Sequence, residues 1–292
     1  MKTYYYILGI VLAGLMLASC GESYEEKKAL RLEQTKEQQR LEQKALKIGI
    51  VPTIDCLPVL VAQQEGYFAQ MPDSFRVKHI GSAIEVEQAL LKGSVNVGVS
   101  DVKRLEKVNE KSTRLVSLGT TNLYWLLIAN KTSRVKDPKQ LGDKLVAMTR
   151  FSALDYLTDC IFADYPTKET AFKIQVNDPN LRLEMLINNA MDVMWLPEPQ
   201  ATAAQLHGHK VIADSRSYNK QLATFAAAAK NGSLSERAKQ LKVFITGYNR
   251  AADSLNKKGW KAYEPMLKEQ FKVEQSTLEK IPEFKFSHLN MP

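Results

Sequence analysis

The sequence predicts an α/β fold made of two lobes, each with a mostly parallel sheet flanked by helices. Short apolar strands alternate with amphipathic helices from Lys47 to Val99, which is the order that builds a parallel sheet with helices packed on it. The same alternation returns between residues 122 and 216. The 246 residues from Lys47 to Pro292 are enough for two compact cores, so two lobes are expected.

Hydrophobic periodicity and turn residues define the elements of the first lobe. Alternating apolar and polar residues indicate strands, and an apolar face that includes Leu57, Leu60 and Phe68 indicates a helix. Gly66 and Gly93 follow the two helices, where glycine suits a helix end. The predicted elements are strands at 47–52, 75–80, 95–99 and 114–120 and helices at 57–68 and 84–91.

The second lobe repeats this order and opens with the strongly apolar strand LYWLLIANK. Ser152 starts a helix that runs to Tyr165, and a later helix starts at a proline in PEPQATAAQLHGH, as first-turn prolines do. Strands are predicted at 123–131, 172–176, 191–196 and in the segment that ends at Met148, and a further helix at 181–189. From Ser233 onward the sequence indicates helices, and we expect this tail to pack over the first lobe.

The first twenty residues resemble a bacterial lipoprotein signal peptide. Lys2 precedes an apolar run from Tyr4 to Ala18, which is too short to span a bilayer permanently. The run ends in LASC at positions 17–20, and small residues before a cysteine match the lipobox of that class. We predict a signal peptide at 1–19 and lipidation of Cys20, which anchors the protein on the extracytoplasmic side, periplasmic or at the cell surface, by lipid alone. The alternative is an ordinary secretory signal in which Cys20 is incidental.

The segment after the anchor, residues 20–46, is predicted to be a charged stalk. Positions 21–46 contain six acidic and six basic residues and no proline, a composition typical of a solvated, partly helical segment. The whole chain carries a net charge of +8, and the basic residues of the body are scattered rather than clustered. Nucleic acid is therefore not expected as a partner.

Cysteine and histidine patterns give no indication of a metal site or of catalysis. Besides Cys20 the chain has only Cys56 and Cys160, which are too few for a disulfide framework and lack CxxC spacing. A bridge between these two is possible in an oxidising compartment, but they fall in different predicted lobes. No GxSxG, HExxH or phosphate-cradling motif is present in the sequence. We therefore expect no metal, no cofactor and no enzymatic activity.

The stretch GIVPTIDCLPVLVAQQEGYF at 49–68 resembles the opening of the nitrate-, sulfonate- and thiamine-precursor-binding proteins of ABC importers. Their run A-x-x-x-G-[YF]-F is matched here by Ala62, Gly66, Tyr67 and Phe68. Further matches are VNVGVSD at 95–101, VKDPKQLGDKLVAM at 135–148 and LINNAMDVMWLPEPQATAA at 186–204.

This resemblance implies a type II periplasmic-binding-protein fold, in which two crossover strands join the lobes and the ligand binds in the cleft between them. Lobe 1 then comprises 47–121 and 217–292, and lobe 2 comprises 122–216. The crossings are expected near 122–128 and 221–228.

Candidate ligand contacts of the first lobe come from its strand-to-helix loops. Ligands collect beyond the carboxyl ends of parallel strands, where helix N-termini offer free backbone donors. Thr53 and Asp55 follow the first strand and could hold donor groups of a ligand, although Asp55 equally suits a helix cap. Ser100 and Asp101 end another strand and carry the same two interpretations.

In the second lobe, two loops carry candidate contacts. Phe151 and Ser152 precede a helix and favour an anionic or carbonyl group, and the neighbouring Arg150 either pairs with an anion or faces solvent. Trp195 could stack on a flat ligand or pack in the core, and Glu198 could bind an amine or a ring nitrogen.

At the predicted crossing, Tyr124 and Trp125 should point to opposite faces of a strand, so only one of them, Trp125 in our prediction, reaches the cleft.

The function predicted is that of a solute-binding lipoprotein that delivers a small organic molecule to an ABC permease. The ligand is either a heterocycle such as a thiamine or pyrimidine precursor, or a sulfonate-like anion. One alternative is a ligand-sensing lipoprotein that signals to a partner. Another is an enzyme similar to the pyrimidine synthases of this fold, whose cysteine-rich iron motif this sequence does not contain. A monomer is expected.

Overall fold

A computed structural model describes residues 24–71, 74–218, 220–229 and 233–292. The chain divides into two compact units, residues 1–45 and 46–292. The predicted signal peptide and the predicted lipidation site Cys20 lie outside the described residues. Within the described ranges, no helix has both the length and the apolar character that a membrane span requires.

The first unit contains the helix α1 (Tyr24–Lys44). Its side chains are mostly exposed, and charged pairs such as Arg40 with Glu37, 3.5 Å apart, lie one turn from each other. Exposed pairs of this kind stabilise a helix only weakly. At about 1.5 Å per residue the helix is roughly 30 Å long, and it covers nearly all of the segment that the sequence predicts to be partly helical.

The second unit begins with a five-stranded sheet, which with its helices we call lobe 1. Its strand order is β2-β1-β3-β10-β4, with β1, β2 and β3 parallel and β10 antiparallel to both of its neighbours. The strands are β1 (Leu46–Ile50), β2 (Phe75–His79), β3 (Val97–Asp101), β4 (Leu115–Thr120) and β10 (Ala223–Ala228), and the helices between the first four are α2 (Leu57–Gln64), α3 (Ala83–Lys92) and α4 (Val102–Val108).

A second five-stranded sheet and its helices form what we call lobe 2. Its order is β7-β6-β8-β5-β9, with β6, β7 and β8 parallel and β5 antiparallel to both of its neighbours. The strands are β5 (Trp125–Ala129), β6 (Leu145–Met148), β7 (Phe172–Gln175), β8 (Val193–Pro197) and β9 (Lys210–Asp214), and the helices are α5 (Ala153–Asp164), α6 (Pro179–Ile187) and α7 (Gln200–Leu206).

Helices follow β10, as the sequence predicts. The long helix α9 packs on α2 through an apolar face with helical spacing that includes Leu241, Phe244, Tyr248 and Leu255. The C-terminal helices are α8 (Ser233–Glu236), α9 (Ala238–Lys258), α10 (Glu264–Phe271) and α11 (Gln275–Leu278).

Packing explains why the central strands carry continuous apolar runs. In β8, Val193 and Trp195 belong to one buried cluster, whereas Met194 and Leu196 belong to another. Helices cover both faces of such a strand, so every position is buried. The predicted two-lobed α/β fold is thus confirmed.

Two elements were not predicted from the sequence, β9 and α4. The helix α4 starts directly at the end of β3, at Val102, so the VNVGVSD strand pattern gives no sign of it. The strand β9 is exposed or half-buried along its whole length, and its periodicity is correspondingly weak.

Two connections join the lobes and place their strand ends face to face. One runs from β4 to β5 through residues 121–124, and the other from β9 to β10 through a 3₁₀ turn at Ser215–Tyr218. The Ser215 hydroxyl accepts the backbone N–H of Trp125 at 2.9 Å, so the two connections are bonded to each other. The carboxyl ends of the parallel strands in both sheets consequently border one cleft.

Candidate functional site

A cavity lies between the two lobes, at the carboxyl ends of their parallel strands. Its polar lining comes from both lobes and consists of Thr53, Ser100, Asp101, Arg104, Thr149, Ser152, Asn177 and Arg182. Its volume of about 60 Å³ is far below the roughly 300–1,000 Å³ of typical small-molecule sites. A ligand that needs a site of the typical volume can enter only when the lobes move apart.

The start of α5 is capped by its own N-terminal residue. The Ser152 hydroxyl accepts the N–H groups of Leu154 and Asp155 at 3.1 and 3.4 Å and donates to the carbonyl of Thr149 at 2.6 Å. The structure places Ser152 on the cavity wall, but its hydroxyl is already engaged in lobe 2.

Asp101 reaches across the cleft to the same helix. Its carboxylate accepts the N–H of Arg104 at 3.0 Å, which caps α4, and both of its oxygens accept the N–H of Ala153, at 3.0 and 2.9 Å. Burial raises the pKa of Asp101 to about 6, although these backbone donors lower it. The carboxyl is therefore mainly ionised at neutral pH, and it occupies the positive end of α5, where the sequence predicts a ligand anion.

Arg104 also lines the cavity, but its charge is compensated. Its Nε donates to Glu87 at 2.8 Å, and a second nitrogen donates to the other carboxylate oxygen. Glu87 is buried, with 3% of its surface exposed. This bidentate pair leaves no net charge of Arg104 for a ligand.

Arg182, on α6, is the buried cation of the cavity that lacks an ion-pair partner. It is 3% exposed, and within the described ranges no carboxylate lies within salt-bridge distance of it. Its terminal nitrogens donate to the carbonyls of Trp195 and Asn177 and to the hydroxyl of Thr149. Trp195 lies within β8, whereas Asn177 and Thr149 follow β7 and β6. Its Nε has no hydrogen-bond partner among the described residues.

The electrostatics of Arg182 follow from this burial. Removal from water lowers its pKa to about 10, with Asp178 acting in the opposite direction. The guanidinium remains charged at neutral pH, so lobe 2 presents a fixed positive charge to the cleft. A buried charge without a counter-ion costs free energy, and a ligand anion would recover part of it.

Two serine hydroxyls on the lobe 1 side also lack partners. Ser82, which immediately precedes α3, and Ser100, at the end of β3, are each 1% exposed, and neither hydroxyl oxygen has a hydrogen-bond partner in the described part of the chain. Ser100 lines the cavity, and Ala83 beside Ser82 does so too. Unsatisfied polar groups are rare in protein interiors, and Ser100 is the one of these two serines that lies on the cavity wall, where its hydroxyl could bond to a ligand.

The first strand-to-helix loop brings Thr53 to the cavity but not Asp55. Asp55 is 1% exposed and accepts hydrogen bonds from the hydroxyls of Thr53 at 2.6 Å and Thr121 at 2.9 Å. Burial raises its pKa. Asp55 neither lines the cavity nor caps a helix. Its carboxylate instead bonds this loop to Thr121, in the connection between the lobes.

In the predicted loop after β8, Pro197 lines the cavity, but the candidate residues Trp195 and Glu198 do not. Trp195 is fully buried in the core of lobe 2, where its ring N–H donates to Thr158 at 2.9 Å. Glu198 is also buried and accepts the Tyr124 hydroxyl at 3.2 Å and the N–H of Thr202 at 3.1 Å. The expectation that Trp195 stacks on a ligand is corrected in favour of core packing, and Glu198 is held by the protein itself.

The two remaining predicted residues lie at different places in the cleft. Trp125 lines the cavity and is half-buried, whereas its neighbour Tyr124 does not line it. Phe151 is 61% exposed and has a positive φ of 56°, so it points away from the cavity wall. The Lys107 ammonium lies 4.4 Å from the centre of its ring, which places Phe151 at the outer edge of the cleft.

Comparison with protein families decides the relationship that the geometry suggests. A family model described as NMT1/THI5 like matches residues 53–258, well over half of the chain and both of its lobes. The chain belongs to the NMT1/THI5-like family. No curated protein matches the sequence significantly.

Solved structures share the fold of this NMT1/THI5-like chain at low sequence identity. The alkanesulfonate-binding protein SsuA from Xanthomonas axonopodis pv. citri, bound to MOPS, is 14% identical with a TM-score of 0.69, over 84% of this chain and 86% of that protein. The periplasmic nitrate-binding protein NrtA from Synechocystis PCC 6803 is 14% identical with a TM-score of 0.68, over 83% and 71%. A Candida albicans protein, CA3427, described as having the generic periplasmic binding protein structural fold, is 16% identical with a TM-score of 0.64, over 81% and 79%. The periplasmic-binding-protein fold that the sequence predicts is confirmed.

The residue that sequence reasoning missed in this NMT1/THI5-like chain is Arg182. A usable signal was present, because Arg182 lies in the first turns of α6, directly after β7 and the Asp178-Pro179 helix start. The strand-end rule was applied to four loops, and this fifth loop obeys it equally well. What the sequence does not reveal is the burial of the guanidinium, which depends on the ends of β6, β7 and β8 meeting around it.

Proposed function

We propose that the chain is a lipid-anchored extracytoplasmic solute-binding protein that captures a small organic anion for an ABC importer. The observation that carries the proposal is Arg182, a buried cation on the wall of a cavity between two lobes, with no ion-pair partner among the residues that the structure describes. The family and the fold support the role of a binding protein. We do not propose catalysis.

The solved relatives support an anionic ligand over a flat heterocycle. Two of them are an alkanesulfonate-binding protein and a nitrate-binding protein. The heterocycle hypothesis depended on Trp195 as a stacking surface, and that ring lies in the core. Within the described part of the chain, Trp125 is the aromatic residue that lines the cavity.

Binding couples to closure because the cavity walls belong to different lobes. A ligand anion held by Arg182 in lobe 2, with polar contacts to Ser100 in lobe 1, bridges the cleft. Such a ligand binds the closed form better than the open form and so shifts the population toward closure. The closed surface is then the one offered to the permease.

The test is thermal unfolding of the purified full chain against alkanesulfonates, nitrate, carboxylates, thiamine, pyrimidines and amines. Binding to the native state raises the midpoint saturably. We expect a rise with sulfonates or carboxylates that is lost in Arg182→Gln and kept in Arg250→Gln, an exposed arginine outside the cavity lining. A rise with thiamine or pyrimidines alone, or none at all, contradicts the proposal.

The lipid anchor and the importer need separate tests. We expect metabolic labelling with a fatty acid to mark the wild-type chain and not Cys20→Ser. Loss of uptake of the bound anion after deletion of the protein supports transport. Retained uptake together with retained ligand binding favours a ligand-sensing lipoprotein instead.

A further inference from the structure

The cavity contains two opposite charges that no side chain in the described part of the chain neutralises. Its charged lining residues are Asp101, Arg104 and Arg182. Arg104 is paired with Glu87, whereas Asp101 and Arg182 form no salt bridge with any described residue. The remaining carboxylate and the remaining guanidinium therefore lie on one small cavity, the first in lobe 1 and the second in lobe 2.

Each of the two charged groups keeps capacity for a ligand. Asp101 accepts the backbone N–H groups of Arg104 and Ala153, with that of Lys103 also close to it, but accepts no side-chain donor among the described residues, and a carboxylate offers about four lone-pair sites. Arg182 has an Nε–H without a partner among the described residues. A purely anionic ligand would satisfy Arg182 but would bring its remaining atoms near an ionised carboxylate.

We propose that the ligand is a zwitterion, with an anionic group bound at Arg182 and an ammonium or other charged hydrogen-bond donor bound at Asp101. This inference rests on the proposed function and specifies the ligand class of the same site. A zwitterion neutralises one charge on each lobe, so both of its ends contribute to holding the lobes together. The Ser100 hydroxyl, which lines the cavity and has no partner among the described residues, can bond to either end.

The described cations around Asp101 already have partners, so none of them replaces the ligand's ammonium. On α4 the facing charges are Arg104, which Glu87 neutralises, and Lys103, which pairs with Glu106 at 2.7 Å. At the start of α5, Asp155 is paired with Arg150 and Lys173. Near β10, Lys220 donates to the hydroxyl of Tyr156 at 2.6 Å.

The experiment is isothermal titration of the purified full chain with three compounds of one carbon skeleton: 3-aminopropanesulfonate, propanesulfonate and propylamine. We expect the zwitterion to bind at least about tenfold more tightly than propanesulfonate, which corresponds to about 1.4 kcal/mol, and propylamine to bind the weakest. The carboxylate trio of 4-aminobutanoate, butanoate and butylamine is measured in parallel, because a guanidinium binds both sulfonates and carboxylates.

Two variants test which residue binds each charged end of the ligand. In Asp101→Asn, which keeps an oxygen that can cap α4, we expect the preference for the zwitterion to disappear while the affinity for propanesulfonate changes less than about threefold. In Arg182→Gln, we expect both sulfonates to lose binding. Should Arg182→Gln fail to fold, the comparison of ligands on the wild-type chain still decides.

The outcomes separate this inference from the proposed function. Equal affinity for propanesulfonate and 3-aminopropanesulfonate overturns the zwitterion inference and leaves an anion-binding protein. An unchanged preference in Asp101→Asn overturns the role of Asp101. Tightest binding by propylamine overturns the role of Arg182 as well, and absence of binding by all six compounds contradicts both proposals.

Discussion

At the scale of single residues, the cleft contains polar and charged side chains that are buried at a cost in free energy. Arg182 is a buried cation without a counter-ion, and Ser100 is a buried hydroxyl without a partner among the described residues. Asp101 is a carboxylate whose pKa is raised by burial. In ordinary core positions such groups are paired or replaced by apolar residues. Their presence around one cavity is better explained by a ligand than by stability.

The raised pKa of Asp101 predicts how stability depends on pH in the absence of ligand. Its value of about 6 in the folded chain exceeds the roughly 3.9 of an unfolded aspartate. Between these values the folded state holds a proton that the unfolded state has released, so the contribution of Asp101 is present at low pH and is lost as the pH rises through about 6.

Comparison with Asp101→Asn isolates this contribution, because the amide does not titrate. From pH 4 to pH 7 we expect the free energy of unfolding of the wild type, relative to Asp101→Asn, to fall by at most about 3 kcal/mol, since each pH unit between the two pKa values is worth about 1.4 kcal/mol. Denaturant unfolding at several pH values measures the difference. A difference that stays constant or rises with pH would show that the backbone donors outweigh burial.

At the scale of elements, periodicity predicts most strands and helices, and packing decides what periodicity leaves open. The exposed strand β9 has too little apolar patterning to be recognised. In β8 the continuous apolar run predicts a buried strand but cannot tell which face the indole of Trp195 occupies, because both faces are covered. The strand-end rule leads to loops that border the cavity, whereas the choice between capping and ligand contact at Asp101 or Asp55 depends on hydrogen bonds that only the assembled fold defines.

Close packing between elements of lobe 1 predicts the effect of one substitution. A Cβ added at Gly98 of β3 would lie 2.4 Å from Cγ1 of Val86 on α3 and 2.9 Å from the carbonyl oxygen of Gly49 on β1. Overpacking of this kind typically costs about 1–3 kcal/mol, so we expect Gly98→Ala to lower the free energy of unfolding by that amount in urea titration.

A double variant tests the cause. Val86→Ala removes the side chain that obstructs the new methyl group but leaves the Gly49 carbonyl in place. We therefore expect Gly98→Ala to cost less in the Val86→Ala background than in the wild type, in a double-mutant cycle. Strictly additive effects would mean that the backbone contact, and not the helix, limits the space.

At the scale of the whole molecule, the lobes are held together on the side of the cleft where α4 meets the start of α5. Asp101 bonds to Ala153 there, and lysines of lobe 1 lie over aromatic rings of lobe 2. Lys107 is 4.4 Å from the centre of the Phe151 ring, and Lys103 is 5.6 Å from that of Tyr156. The two lysine–ring contacts are exposed and individually weak, which suits a cleft that must open.

Because of these lysine–aromatic contacts, we expect that substitutions outside the cavity lining can destabilise the closed form relative to the open form. The Tyr156 ring also lies 4.3 Å from Lys220, in the connection that leads to β10. Exposed cation–π contacts are worth about 0.5–1 kcal/mol each, so we expect Phe151→Ala with Tyr156→Ala, which removes three of them, to raise the ratio of open to closed molecules by about ten- to 150-fold. The distance distribution between spin labels on the two lobes measures that ratio.

The matched control is Arg250→Ala. It removes a cation that lies 4.1 Å from the centre of the Tyr67 ring, within lobe 1, and we expect it to leave the distribution unchanged. Because ligand binds the closed form best, the double variant should also bind ligand more weakly by the same factor by which its closed population falls, since apparent affinity scales with the fraction of competent molecules. A weaker affinity with an unaltered distance distribution would place Phe151 and Tyr156 in direct contact with the ligand rather than in control of closure.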